Sequence, residues 1–358
     1  MSARTRPTWV PVVLLVLSVA LVIAAVRLGT RLAGELRDDP VDVLSAGETL
    51  RLDSPPYAET HTVIVPLNKV DVAVGRPLDS LDHEFVAYDK DDSRRNSQRA
   101  LHAPEGGRLV PVSWSIRPTG GLASGLAIAT EIRLVAEGEK VTIGSVRLGD
   151  PSTGQTSYEQ HDVVVALPGD LDTDDLKVEV EFGGQTQVLD VASGEIDAGV
   201  AQALYEPEPN FDAGCHAVED NCQYVPASAD QQFHPMQGRF TASQVTLYPW
   251  DAELGWADEG TLWAGVRISS FSALGTDAAG NVVIDRRQAP PRVTLDGRPP
   301  VGREGLKGGE GSTSGRAILR VEADDEPKVL RIQTVITLGN GVKMPIEARL
   351  PLQPVTAG

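Results

Sequence analysis

Residues 9–26, WVPVVLLVLSVALVIAAV, carry no charge and almost only aliphatic side chains. As a helix such a run covers about 27 Å at 1.5 Å per residue, close to the roughly 30 Å apolar thickness of a bilayer. Arg4 and Arg6 precede it, as in the basic start of a secretory signal. A cleavable signal has an apolar region of about 7–15 residues, and this run is longer. Beyond it Leu28, Leu32 and Leu36 recur at a spacing of four, which continues the helix. The reading is an uncleaved anchor: a cytoplasmic N-terminus over 1–8, a transmembrane helix over 9–28 and a juxtamembrane stalk over 29–45. Arginines flank both ends, so positive charge does not set the orientation. The acidic body with its cysteine pair favours an N-terminus inside and a body outside the cytoplasm.

From Glu48 onward the texture changes. Short runs of Val, Ile, Leu and Thr alternate with polar residues and stop at Gly, Pro, Asp or Asn, which is strand-and-turn texture. In residues 109–116, Val110, Val112, Trp114 and Ile116 share one face at a period of two, the mark of a half-buried strand. Strands are also expected at 60–65, 69–74, 128–135, 141–148, 162–167 and 176–182. Gly183-Gly184 closes a hairpin onto 187–191, because paired glycines supply the positive φ values of tight turns. Residues 199–235 lose the alternation and read as a linker, preceded by a short helix at 194–204. Strands resume at 239–247, 261–269, 281–285, 292–295, 317–323, 329–338 and 342–350, with Asn340-Gly341 as a hairpin turn. Residues 303–315 read as a Gly-rich loop.

The two halves echo one another. Val110, Val112, Trp114 and Ile116 align with Leu262, Ala264, Val266 and Ile268 at an offset of 152. Leu176, Val178, Val180 and Phe182 align with Leu330, Ile332, Thr334 and Ile336 at an offset of 154. A strand order repeated at one offset suggests a duplicated sandwich; chance similarity of two β regions is the alternative. The fold expected is all-β, with two tandem Ig-like β-sandwich domains over 46–198 and 236–358 behind one N-terminal transmembrane helix. The anchor, the β body and the TDAAGN segment at 276–281 resemble the membrane-anchored Ig-like surface proteins of high-GC Gram-positive bacteria. That resemblance implies a fold and a location and no catalytic residues.

The formal charge is −18, with acids spread along the body. Nucleic acid calls for clustered Lys and Arg, so no nucleic-acid partner is expected. Cys215 and Cys222, the two cysteines of the chain, lie close enough for a local disulfide. A zinc site using His216 with them is the alternative, but no second cysteine pair exists to complete it.

Two clusters are candidate sites. Asp170, Asp172 and Asp174, with Glu181 at position twelve, follow the calcium-loop spacing. Position six is Asp175 instead of the required Gly, so a solvated acidic turn is the competing reading. Tyr248, Trp250 and Trp256 beside Asp251 and Glu253 offer aromatic faces and carboxylates that suit a sugar ring or a protein partner. The competing reading covers a loop with these rings and places Trp263 in the core. No nucleophile elbow, zincin motif, P-loop or dinucleotide fingerprint is present. The expectation is a non-catalytic binding or scaffolding protein of the cell envelope without a cofactor. It would meet the membrane through residues 9–28 and an envelope protein or glycan through its body. The alternatives are an envelope hydrolase with a dispersed site and an accessory subunit of a membrane complex.

Overall fold

The computed structural model describes residues 42–53, 59–87, 99–119, 128–147, 160–216, 222–226, 234–237, 239–270, 274–276, 282–309, 313–338, 341 and 343–355. The anchor and stalk expected at 9–45 lie outside these residues except for their last few positions. Among the described residues no helix is long and apolar enough to cross a membrane. The structure is all-β, with three short 3₁₀ turns among the described residues.

The main strands of the first half are β1 (Thr49–Arg51), β2 (Thr60–Val65), β3 (Asn68–Val74), β4 (Gly107–Pro118), β5 (Ala129–Ala136), β6 (Glu139–Arg147), β7 (His161–Pro168), β8 (Leu176–Phe182) and β9 (Gln185–Asp190). Those of the second half are β10 (Asn210–Asp212), β11 (Arg239–Ala242), β12 (Val245–Tyr248), β13 (Thr261–Ser270), β14 (Val282–Gln288), β15 (Arg292–Leu295), β16 (Thr313–Glu322), β17 (Val329–Leu338) and β18 (Lys343–Pro351).

Contacts divide the chain into two compact units, and β4 passes through both. Among the described residues the smaller unit comprises 42–53, 75–87, 99–112 and 162–171. There β7 lies between β1 and the start of β4. Leu44, Leu50, Leu52, Leu81, Leu101, Leu109, Val164 and Ala166 form its core. Asp42–Val43 adds a short parallel pairing with Leu101–His102, an element too short to read from sequence.

The larger unit holds the rest. The end of β4 is followed by β3 and β2 in one sheet, and a second sheet runs β9-β8-β5-β6. Trp114 of β4 explains a glycine inside β6: a Cβ at Gly144 would lie 2.3 Å from the Trp114 ring. The indole donates to the carbonyl of Ile143 at 3.1 Å. Gln187 of β9 donates to the carbonyl of Ile64 in β2, and the Tyr205 hydroxyl accepts from the Ile64 amide.

In the second half β11 and β12 run along β13, which pairs with β16 over its whole length. A second sheet runs β18-β17-β14, with β15 also on β17. The two share one core, in which Ala264 and Val266 of β13 meet Leu330 and Ile332 of β17. The alternation seen in sequence is the inward face of these strands, each buried large aliphatic contributing about 1.5–3 kcal/mol.

Two expectations change. The short helix expected at 194–204 is present as the 3₁₀ helix Gly199–Tyr205, whereas β10, inside the stretch read as a linker, pairs with β12. With three residues, paired on both sides, β10 is too short for alternation to register. The Gly-rich stretch 303–315 contains strand at both ends. Gly302–Glu304 pairs with β16, and a Cβ on Gly315 would meet the Glu304 carbonyl at 2.4 Å. That glycine permits close backbone approach rather than looseness. The turn residues 277–281 and Asn340 lie outside the described residues, yet β17 and β18 pair from Val329↔Pro351 to Thr337↔Lys343 as the hairpin requires.

Candidate functional site

The aromatic stretch folds into a small hairpin. Trp250–Asp251 pairs with Gly255–Trp256, with Trp250 opposite Trp256. Tyr248 ends β12, and Trp263 lies buried in β13 with its indole donating to the Gly255 carbonyl at 2.9 Å. Ala257, Trp263 and Ile318 form a small core beneath, with Tyr248 packed against it.

The structure therefore brings Tyr248, Trp250, Asp251, Glu253 and Trp256 together. Their partners, however, are supplied by the chain. Both indoles are half-buried and meet Phe182 edge-on, with centroids 5.3 and 6.4 Å from its ring. The Trp256 indole donates to the Phe182 carbonyl at 2.9 Å. Gly183, at φ 57°, fits under both indoles. The Asp251 side chain is 1% exposed and ion-pairs with Arg316 at 3.0 Å. It also accepts from the Tyr248 hydroxyl at 3.1 Å and from the Glu253 amide at 2.9 Å. Arg316 lies 5.2 Å from the Tyr248 ring centroid. Burial pushes the Tyr248 hydroxyl far above its ordinary range, against the pull of Arg316. Glu253 stays exposed. These rings act as an internal clasp on the β8–β9 turn, while both indoles keep part of their surface exposed.

The acidic run is also used locally. Asp170 pairs with Arg108, which also reaches Asp79. Asp172 and Asp175 cap each other's backbone amides around the turn Thr173–Asp175, and Asp174 is exposed. Among the described residues no three His, Cys, Asp or Glu side chains come close enough to hold a metal. Cys215 and Cys222 are joined in a disulfide, Cα atoms 5.4 Å apart, which takes both thiols from the zinc alternative.

No family model and no curated protein matches the chain. Among solved structures, a chain named pT26-6p aligns at 10% identity with a TM-score of 0.19, covering 84% of this chain. The match spans 65% of that chain's length, and a TM-score this low carries no argument.

The outer face of the second half carries a cluster that sequence reasoning missed. Arg292, Thr294, Asp296, Arg331, Gln333 and Arg349 line a depression of about 590 Å³ on β15, β17 and β18. Arg331 stands directly opposite Arg349. Arg292 is opposite Gln333 and so diagonal to Arg331. Glu347 accepts from Arg331 and from Gln333, the latter at 3.1 Å. The Arg331 hydrogen bond holds the Glu347 carboxyl below its ordinary range. Residues 39 and 18 positions apart in sequence meet only because two strand pairings place them on one face. The alternation of polar residues in these strands was the one available signal.

Proposed function

We propose that the chain is a membrane-anchored binding or scaffolding protein of the cell envelope, with two Ig-like lobes held outside the cytoplasm. The observation that carries this reading is the Cys215–Cys222 disulfide in a body that follows an uncharged apolar run. Structural disulfides persist in oxidising compartments and are rare in the cytosol. The residues 9–28 supply the anchor, and the acidic body stands off an anionic lipid surface. The role is non-catalytic. The cluster of rings and acids with the best claim to chemistry is engaged internally by Phe182 and Arg316. An envelope protein or glycan is the partner.

Protease added to intact cells tests this. The body is cleaved from its anchor while a cytoplasmic marker survives, and thiol-blocking reagent finds no free cysteine before reduction. Survival of the body on intact cells, with ready digestion after lysis, overturns the reading.

A further inference from the structure

We propose that the outer face of β15, β17 and β18 binds a ligand bearing repeated oxyanion groups, phosphate or carboxylate. Positions of the two halves at the same offset carry different charges. Lys177, Glu179 and Glu181 of β8 correspond to Arg331, Gln333 and Val335 of β17 at the offset of 154. In the first half the face is internally neutralised. Arg133 stands opposite Glu179, pairs with Glu131 at 2.6 Å and also reaches Glu181. Lys140 closes on Glu179 at 2.6 Å. In the second half the place opposite Gln333 again holds an arginine, Arg292. The place of Asp190, opposite Lys177, is taken by Arg349, opposite Arg331. Gln333 and Arg349 thus stand where the first half has Glu179 and Asp190, and one acid, Glu347, stands where the first half has Val188.

The face is left with three guanidinium groups and one nearby glutamate, in a chain whose net charge is −18. Asp296 does not offset them freely, because its carboxylate accepts the Lys328 and Val329 amides at 3.1 and 2.8 Å. Neither Arg292 nor Arg349 has an ion pair within 4 Å among the described residues, although Arg349 also helps, at longer range, to hold the Glu347 carboxyl low. Like charges directly across a strand pair have Cβ atoms about 5 Å apart and destabilise the sheet. Such a cost is removed by an anion laid across the strands. Planar guanidinium forks fit phosphate and carboxylate oxygens in pairs, and the depression matches the size of small-ligand sites, about 300–1,000 Å³. The site is independent of where the body sits in the cell.

The test uses the purified full-length chain and two probes, tripolyphosphate and citrate, titrated calorimetrically at low and physiological salt. Binding is expected with at least one probe, weakening as salt rises. The Arg292→Gln, Arg349→Gln double variant, at exposed positions, loses affinity by at least tenfold. Glu347→Gln, which frees Arg331, binds several-fold more tightly. Lys140→Gln on the corresponding face of the first half leaves binding unchanged. A preference for one probe identifies the oxyanion. Without any anion, Arg349→Gln raises Tm, since it removes the opposed charge. Equal binding by wild type and the double variant, equal loss in Lys140→Gln, or no binding of either probe overturns the proposal.

Discussion

Single side chains carry the sharpest tests of the clasp. Gly183 and Gly184 both sit at positive φ, 57° and 82°, in the β8–β9 turn. A Cβ on Gly184 meets nothing within 4 Å, whereas one on Gly183 lies 3.3 Å from the Trp256 indole nitrogen. Each Gly→Ala change costs about 1–2 kcal/mol for the left-handed backbone. Gly183→Ala costs more than Gly184→Ala and alters indole fluorescence; equal losses in denaturant titrations would refute the packing under the two rings. Arg316→Met strands the buried Asp251 carboxylate. The loss is about 3 kcal/mol, the low end for breaking a buried pair because Arg316 keeps some solvent. Adding Asp251→Asn to it returns part of that loss, which a double-mutant cycle measures. Burial also pushes the Tyr224 hydroxyl up to about 12, more than Ser270 lowers it. A phenol with a raised folded pKa stabilises the fold fully below its unfolded value near 10 and loses that contribution as pH climbs toward 12. Ultraviolet titration of the tyrosines therefore shows late-ionising groups, and stability falls above pH 10. Ordinary ionisation of all six tyrosines together, as counted in the sequence, contradicts the burial.

Strands and hairpins were legible to different degrees, for physical reasons. β2, β8, β15 and β17 begin and end where alternation and turn residues place them, because one face of each enters a core and period two records it. β10 was hidden, since its three residues bury only Phe211. The start of β16 was hidden behind glycines whose absent side chains admit the neighbouring backbone. The aromatic hairpin was visible as composition, but its partner Phe182 lies 74 residues before Trp256. No local pattern connects them. The arginine face was invisible for a similar reason: its members are ordinary outward residues of three strands. The disulfide belongs to this scale too. It fastens Cys215, beyond β10, to Cys222–Gln223, which pairs with β11. Closing so short a loop contributes about 2–3 kcal/mol in the chain-entropy account. Replacing both cysteines by serine lowers stability by about that amount and speeds amide exchange at 222–223 and 239–240. Unchanged exchange there would show that the edge pairing stands without the bridge.

Across the whole molecule the sequence echo becomes a repeated pairing scheme. β7 beside β4 beside β3 corresponds to β16 beside β13 beside β12, and β9-β8-β5 corresponds to β18-β17-β14. The starts of β4, β5, β7 and β8 precede those of β13, β14, β16 and β17 by 152–154 residues, whereas β3 precedes β12 by 177. The β8–β9 turn is the seat of the clasp, and the β17–β18 face carries the arginines. The clasp also joins the halves energetically. Phe182 is 3% exposed, and its main partners outside its own strands are Trp250 and Trp256 of the second half. Burying three rings against one another contributes several kcal/mol by area, with edge-on pairing adding about 0.5–1.5 kcal/mol per pair. That is comparable with the net stability of an ordinary domain, about 5–15 kcal/mol, so the halves unfold together while the rings are in place. Replacing Trp250 and Trp256 by alanine removes the coupling and leaves each core intact. Calorimetry then resolves the single transition of the wild type into two, whereas Trp256→Phe, which keeps a ring and loses only the hydrogen bond to Phe182, remains single. One unsplit transition in the double alanine variant would assign the coupling to some other contact.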